Sequence, residues 1–196
     1  MIIGLSKGRV QQEFFDYAFS KNILCPNDVV YNRNLICNVE FDSYCLLKSN
    51  DIINYLLNGC IDIGILGSDV INEVSNNDIV SLFNFNTLNA YFALASFRCV
   101  NLNDIRIVAT KYPNTAAQMM KSWGLSFDIV KMDGSLELAP NLGYADAIID
   151  IVQSGRTLVE NDLEVKATFN YINTQIITTK DKMFDYDINE YVRKLK

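Results

Sequence analysis

The segment 146–158, DAIIDIVQSGRTL, places two carboxylates ahead of a short polar loop. Asp146 and Asp150 are four residues apart, so an extended strand would point both to one face. Beside a phosphate, such carboxylates would accept hydrogen bonds from ribose hydroxyls or hold Mg²⁺ through water. The alternative is that Asp146 caps the strand and Asp150 is its solvated end.

The loop Ser154-Gly155-Arg156-Thr157 follows this predicted strand and is expected to open a helix. A helix N-terminus binds anions through its free N–H groups and its partial positive charge, and Arg156 would add a fixed charge. The pattern predicts a phosphate site. An ordinary strand-to-helix turn with Thr157 as the cap is the alternative.

Three more polar loops follow predicted strands: SKGR at 6–9, GSD at 67–69 and TKYPNT at 110–115. Loops after parallel strands emerge at one edge of a sheet, where ligands bind. With 153–157 they would gather three helix N-termini and four cations: Lys7, Arg9, Lys111 and Arg156. This favours a polyanionic small molecule carrying several phosphates, unless the cations only solvate loop ends.

Alternating apolar strands and amphipathic helices predict an α/β protein with mainly parallel sheets. Two such series predict two lobes, one formed by 1–88 plus 176–196 and the other by 89–175. The predicted strands are 2–5, 61–66, 91–96, 106–110 and 127–131, and the predicted helices 10–20, 51–57, 70–73, 116–123 and 184–195, with a short helix beginning at 134–137.

Composition removes several function classes. The net charge of −6 without a basic stripe argues against nucleic-acid or acidic-membrane binding. The chain has no histidine, which excludes His-dependent zinc sites and Ser-His triads. Five cysteines without CxxC spacing predict reduced thiols, and no signal peptide or apolar span is evident, so a cytoplasmic location is expected.

Six blocks, in order, resemble the ATP phosphoribosyltransferase family, whose members catalyse the first step of histidine biosynthesis. The blocks are IIGLSKGRV, NRNL, IDIGILGSDV, IVATKYPN, GSLELAP and ADAIIDIVQSGRTL, and they cover nearly the whole chain. The resemblance implies transfer of phosphoribosyl from phosphoribosyl pyrophosphate to N1 of ATP, with release of pyrophosphate. It also implies two α/β lobes of the periplasmic-binding-protein-like (type II) kind, with the active site in the inter-lobe cleft.

The resemblance assigns residues to three groups. The phosphoribosyl pyrophosphate-binding residues are Glu137, Asp150, Ser154, Gly155, Arg156, Thr157 and Leu158. The ATP-binding residues are Lys7, Gly8, Arg9, Arg33 and Asp69. The catalytic cations are Lys7, Arg33 and Lys48. Mg²⁺ is expected on the substrate, without dedicated protein ligands.

The sequence departs from the family pattern at two places. Lys48-Ser49-Asn50-Asp51 stands where relatives have R-x-x-D, so the bidentate fork of Arg is lost at the leaving group. Leu88-Asn89-Ala90-Tyr91 stands where relatives tend to carry Gly-x-Cys-Arg. Both departures bear on catalytic efficiency.

The length resembles that of the short form, which works as a homodimer within a hetero-oligomer. Its partner is a regulatory subunit similar to histidyl-tRNA synthetase. Two other functions stay open on the sequence. One is a non-catalytic cytoplasmic sensor with the same two-lobe fold. The other is a salvage phosphoribosyltransferase, which should show two adjacent acids where Asp150 stands alone.

Overall fold

A computed structural model describes residues 1–25 and 35–196 of the chain. The strands in this part of the chain are β1 (Ile2–Ser6), β2 (Ile36–Val39), β3 (Asp42–Leu47), β4 (Ile63–Gly67), β5 (Ile79–Phe97), β6 (Ile107–Thr110), β7 (Asp128–Lys131), β8 (Ala147–Val152) and β9 (Leu163–Thr179). The α-helices are α1 (Arg9–Ser20), α2 (Ser49–Leu57), α3 (Ser68–Val74), α4 (Pro113–Trp123), α5 (Leu138–Asn141), α6 (Arg156–Glu160) and α7 (Tyr186–Leu195).

The chain divides into two compact units. Unit 1 comprises Met1–Ile71, Ser75–Thr87 and Asn173–Lys196, and unit 2 comprises Asn72–Val74 and Leu88–Ile172. In unit 1 the strand order is β2-β3-β1-β4-β9, with β1 parallel to β3 and to β4. The outer strands β2 and β9 are antiparallel to their neighbours.

Helices cover both faces of the unit 1 sheet. Ile3 and Leu5 of β1 are fully buried with Phe14 of α1 and Ile188 of α7. On the other face α2 packs very close to the strands. A Cβ added at Gly64 would lie 2.7 Å from Ile52, so the glycine admits the helix.

Unit 2 has the strand order β5-β8-β6-β7, with β6 parallel to β7 and to β8 and with β5 antiparallel to β8. Met119 of α4 packs with Phe92 and Ile149 on one face. Residues of α5 and α6 pack on the other face, where Leu158 is buried near Ile148. The predicted α/β class with mainly parallel sheets is confirmed.

Three elements differ from the sequence prediction. The hairpin of β2 and β3 was not predicted, because its two-residue turn, Glu40-Phe41, lacks the Asn-Gly type of signal. β5 begins at Ile79 instead of 91, and the short helix α5 begins at Leu138 instead of within 134–137. No helix in the described ranges is long and apolar enough to cross a membrane.

Candidate active site

The loop after β8 turns the chain through a glycine. Gly155 is the N-cap of α6 and has φ +71° and ψ 1°, in the left-handed region that favours glycine. The alternative in which Thr157 caps the helix is wrong, since Thr157 lies inside α6. The glycine cap itself has no side-chain oxygen, so the only side-chain acceptor that the structure gives for the first N–H groups of α6, within the described residues, is the neighbouring Ser154 hydroxyl.

The side chains around this loop take different directions. The Ser154 hydroxyl oxygen accepts the N–H of Arg156 at 3.4 Å. The Arg156 side chain is 83% exposed, with its Nε 3.3 Å from a carboxylate oxygen of Glu160. Leu158 is buried in the core of unit 2, so only its backbone can face a ligand at the loop.

Asp150 is a partly buried residue within β8, four residues before Ser154 of the loop. Its Oδ1 accepts the N–H of Ile151 at 2.8 Å. Burial raises the pKa of Asp150. The Ile151 N–H opposes that rise, the charge of Glu137 adds to it, and the charge of Lys111 opposes it. The charges of Asp150, Glu137 and Lys111 therefore influence one another around the end of β8.

Asp146 performs a different task from Asp150. Its Oδ2 accepts the N–H groups of Arg106 and Ile107, at 2.8 and 2.9 Å. These groups start the neighbouring strand β6, so Asp146 ties β8 to β6 at their entry end. The expectation that Asp146 shares a ligand-binding role is not supported, and the strand-cap alternative fits the contacts.

The loop 110–115 is closed by a residue that the sequence analysis missed. The Glu73 carboxylate accepts the N–H of Asn114 at 3.0 Å and the N–H of Thr115 at 2.9 Å. The negative charge of Glu73 therefore already occupies the N-terminus of α4, and this helix end is not free to bind an anionic ligand. Glu73 lies 41 residues before Asn114, and no local sequence pattern links them.

In unit 1 the structure brings Lys7 and Lys48 together. The register pairs Ser6 with Leu47, and the N–H of Lys7 donates to the carbonyl of Leu47 at 3.0 Å. Lys7 and Lys48 thus follow neighbouring parallel strands, and both are exposed. Gly8 follows with φ +88° and ψ −130°, a conformation essentially restricted to glycine, and caps α1.

The other predicted ATP-side residues lie around the same sheet edge or outside the described residues. Arg9 is the first residue of α1 and is exposed. Asp69 lies in the first turn of α3, which follows β4, a parallel neighbour of β1. Arg33 lies outside the described residues. Among residues 1–25 and 35–196, no group of three or more His, Cys, Asp or Glu side chains could hold a metal ion.

Three comparisons place these features among known proteins. Residues 48–196 match the HisG family, ATP phosphoribosyltransferase. The ATP phosphoribosyltransferase of Lysinibacillus sphaericus (strain C3-41) is 33% identical over 201 residues, covering 100% of this chain and 94% of that protein. The ATP phosphoribosyl transferase (HisG:HisZ) complex from Thermotoga maritima is 26% identical with a TM-score of 0.80, covering 100% of this chain and 96% of that chain.

A more distant likeness concerns the fold alone. The periplasmic aliphatic sulphonate binding protein SsuA from Escherichia coli has a TM-score of 0.63 at 14% identity, with 100% of this chain and 67% of that chain covered. The predicted periplasmic-binding-protein-like fold is confirmed. The family match and the full-length relative together settle the family: this chain belongs to the ATP phosphoribosyltransferases.

Proposed function

We propose that this chain transfers the phosphoribosyl group of phosphoribosyl pyrophosphate to N1 of ATP, giving phosphoribosyl-ATP and pyrophosphate in the first step of histidine biosynthesis. The observation that carries the proposal within the molecule is the partly buried carboxyl of Asp150, which lies on the strand that leads into a glycine-capped helix and feels the charge of Glu137. A phosphate acceptor next to acceptors for hydroxyl groups suits a ribose 5-phosphate.

On the phosphoribosyl side, the backbone of 154–158 binds the 5-phosphate, and Asp150 and Glu137 face the ribose. As the C1–pyrophosphate bond breaks, positive charge develops on the sugar. The nearby carboxylates stabilise that charge more than they stabilise the neutral ground state, which lowers the barrier. This assigns phosphoribosyl binding to the lobe 89–175.

On the ATP side, Lys7, Gly8, Arg9, Arg33 and Asp69 bind the nucleotide in the lobe 1–88 plus 176–196. Lys7, Arg33 and Lys48 stabilise the charge that develops on the leaving pyrophosphate. Adenine N1 has a free lone pair, so its attack on C1 needs no general base, and the absence of histidine from the chain is no obstacle.

Mg²⁺ fits this chemistry as a substrate-bound ion. Asp150 and Glu137, whose charges act on each other, carry the hard oxygen atoms that Mg²⁺ prefers and that its bound waters can contact. When bound with phosphoribosyl pyrophosphate, the ion would neutralise the departing pyrophosphate. The substrate phosphates would hold the ion, without dedicated protein ligands, and the two carboxylates would reach it through water.

A regulatory partner of the HisZ type is part of the proposal. The similar Thermotoga maritima structure is a HisG:HisZ complex, which supports a hetero-oligomer for this chain as well. We propose that the chain forms a homodimer within that assembly and acts in the cytoplasm. The sensor alternative is not favoured, because the full-length relative is named as an enzyme.

Product formation tests the proposal. The purified chain is incubated with ATP, phosphoribosyl pyrophosphate and Mg²⁺, with and without a histidyl-tRNA-synthetase-like protein from the same source. We expect phosphoribosyl-ATP in the presence of the partner. Calorimetry separates the alternatives: binding of phosphoribosyl pyrophosphate without any ATP binding or turnover would favour a sensor.

A further inference from the structure

Glu73 makes an unusually complete set of contacts with the start of α4. One carboxylate oxygen accepts the N–H of Asn114, and the other accepts both the N–H and the hydroxyl of Thr115, at 2.9 and 3.0 Å. The Asn114 side-chain amide donates to the Glu73 carbonyl at 2.8 Å. Both partners belong to unit 2.

The helix itself offers no substitute for Glu73. Its N-cap, Tyr112, makes no side-chain cap, and Pro113 has no N–H to donate. The N–H groups of Asn114 and Thr115 therefore depend on the Glu73 carboxylate. Because Thr115 is buried, loss of that acceptor would leave a buried donor unsatisfied.

The other end of the same loop is also tied down. The buried Thr110 hydroxyl oxygen accepts the N–H of Tyr112 at 3.0 Å. In the parallel register Thr110 pairs with Ile149, the residue before Asp150. Lys111 thus leaves β6 next to Asp150, in a loop fixed at Thr110 on one side and by Glu73 on the other.

Lys111 is a cation whose charge acts on Asp150. Within residues 1–25 and 35–196, the charges that act on Asp150 are those of Glu137, from the start of α5, and Lys111, from the 110–115 loop. Glu137 repels the Asp150 carboxylate, whereas Lys111 attracts it. We propose that Glu73 is a positioning residue for phosphoribosyl transfer, acting by holding the 110–115 loop so that Lys111 lies near Asp150.

The role assigned to these carboxylates rests on the proposed function. If the loop is released, Lys111 no longer offsets the repulsion between them, and the ribose site loses its fixed shape. We expect the Glu73→Ala and Lys111→Met variants each to raise the KM for phosphoribosyl pyrophosphate about fivefold and to leave the KM for ATP unchanged.

A double-mutant cycle tests whether Glu73 acts through Lys111. The proposal predicts that Glu73→Ala adds nothing once Lys111 is Met, so the double variant matches Lys111→Met alone. Asp185→Ala is the matched control: Asp185 caps α7 in unit 1 through the N–H groups of Asp187 and Ile188. It should lower stability without changing either KM.

Two results would overturn the inference. One is multiplicative losses in the double variant, which would mean that Glu73 stabilises α4 independently of Lys111. The other is an unchanged rate of hydrogen exchange in Glu73→Ala at the amides of Lys111, Tyr112, Asn114 and Thr115. If Glu73 holds this loop, its removal must speed exchange at these amides more than in the interior of α4. Hydrogen exchange is measured without turnover. If no product forms even with the partner protein, the proposed function is refuted, and the exchange measurement still tests whether Glu73 holds the loop.

Discussion

Units 1 and 2 repeat one strand arrangement, and a carboxylate marks the same point in each. Asp62 precedes β4 and accepts the N–H of Ile2 in β1; Asp146 precedes β8 and accepts the N–H of Ile107 in β6. In both units these two strands are parallel neighbours. The units can therefore be compared residue by residue from this point onward.

Four residues after the marker, the two units differ sharply. Unit 1 has Leu66, which is fully buried in the core with α2, and unit 2 has Asp150. Leu66 pairs with Gln175 on the neighbouring antiparallel strand, and Asp150 pairs with the small Ala93. A leucine is compatible with the fold at this position in unit 1, which fits the functional role proposed for the carboxyl in unit 2.

The loops that leave the two sheets also differ in charge. Lys7 and Lys48 follow β1 and β3 in unit 1, where Ser6 pairs with Leu47. The corresponding strands of unit 2, β6 and β7, are followed by Lys111 and by Met132-Asp133. After this pair of strands, unit 1 thus presents two cations, whereas unit 2 presents one cation and one carboxylate, a difference that fits the proposed placing of the pyrophosphate on the unit 1 side.

The largest expected effects come from exchanging the residues at this position. Asp150→Leu should reduce kcat by roughly 100-fold or more, because the charge next to the ribose is lost. It should also raise the thermal midpoint, since the pKa of Asp150 is raised and its ionised form is therefore less favourable in the folded than in the unfolded protein. That ionisation cost appears as the pH rises through the raised pKa, so the stability gain should be larger at pH 7 than at pH 4.

The reverse exchange in unit 1 is the control. Leu66→Asp should destabilise the protein by about 3 kcal/mol or more, because it introduces an unpaired carboxyl into an apolar core. Steady-state kinetics and thermal melts at pH 4 and 7 check both variants. A fully active Asp150→Leu enzyme would show that the position is structural in both units.

Several of the strands compared here could be predicted from the sequence, whereas the roles of single side chains could not. The strands of 61–66 and 147–152 are strongly apolar and end in glycine-containing loops, so their place and their ligand-side ends were predictable. The site residues at those ends remain predictions from the family resemblance. Asp146 was ambiguous because alternation alone cannot separate a strand cap from a ligand group.

Long-range contacts were beyond sequence reasoning. Glu73 accepts a hydrogen bond from Asn114, and Asp62 accepts hydrogen bonds from Ile2 and Lys182. These partners lie too far apart in the sequence for any periodic pattern to link them. The hairpin turn at Glu40 was not predicted for a different reason. Glu40 has a φ of +52°, a backbone conformation that glutamate rarely adopts, so its residue type gives no turn signal.

The next largest effects concern the two glycine caps. Gly155→Ala should weaken phosphoribosyl pyrophosphate binding about tenfold and leave ATP binding intact, because a Cβ at φ +71° strains the loop that faces the phosphate. Gly8→Ala should do the opposite, weakening ATP binding only. Calorimetric titration of each variant with each substrate checks the assignment, and equal losses for both substrates in either variant would contradict it.

A smaller effect is expected at Lys48. Lys48→Ala should lower kcat about fivefold with little change in the KM for ATP, because the charge matters mainly as pyrophosphate departs. Lys48→Arg should keep or raise kcat, since guanidinium binds phosphate oxygens in a bidentate manner. Steady-state kinetics of both variants decides; full activity of Lys48→Ala would mean that the residue is only surface charge.

The smallest expected effect is a difference in stability between substitutions of the two marker carboxylates, Asp62 and Asp146. Asp62 accepts the Ile2 N–H and also the Lys182 ammonium, at 2.7 Å, whereas Asp146 accepts two backbone N–H groups. Burial alone would raise the pKa of Asp62, but the bonds from Ile2 and Lys182 outweigh it, so its pKa is lowered. Asp62→Asn should therefore cost about 1 kcal/mol more than Asp146→Asn at neutral pH.

Because the pKa of Asp62 is lowered, the loss of stability in Asp62→Asn should depend on pH. A carboxyl with a lowered folded pKa stabilises the protein above its unfolded value of about 3.9, and this contribution is lost as the pH falls through the folded value. Urea unfolding of wild type and Asp62→Asn at pH 7 and pH 3 should thus show a gap in unfolding free energy that narrows on acidification. Lys182→Met should reproduce part of the gap and its narrowing. A gap that is the same at both pH values would mean that Asp62 acts through neutral hydrogen bonds alone, as a marker no stronger than Asp146.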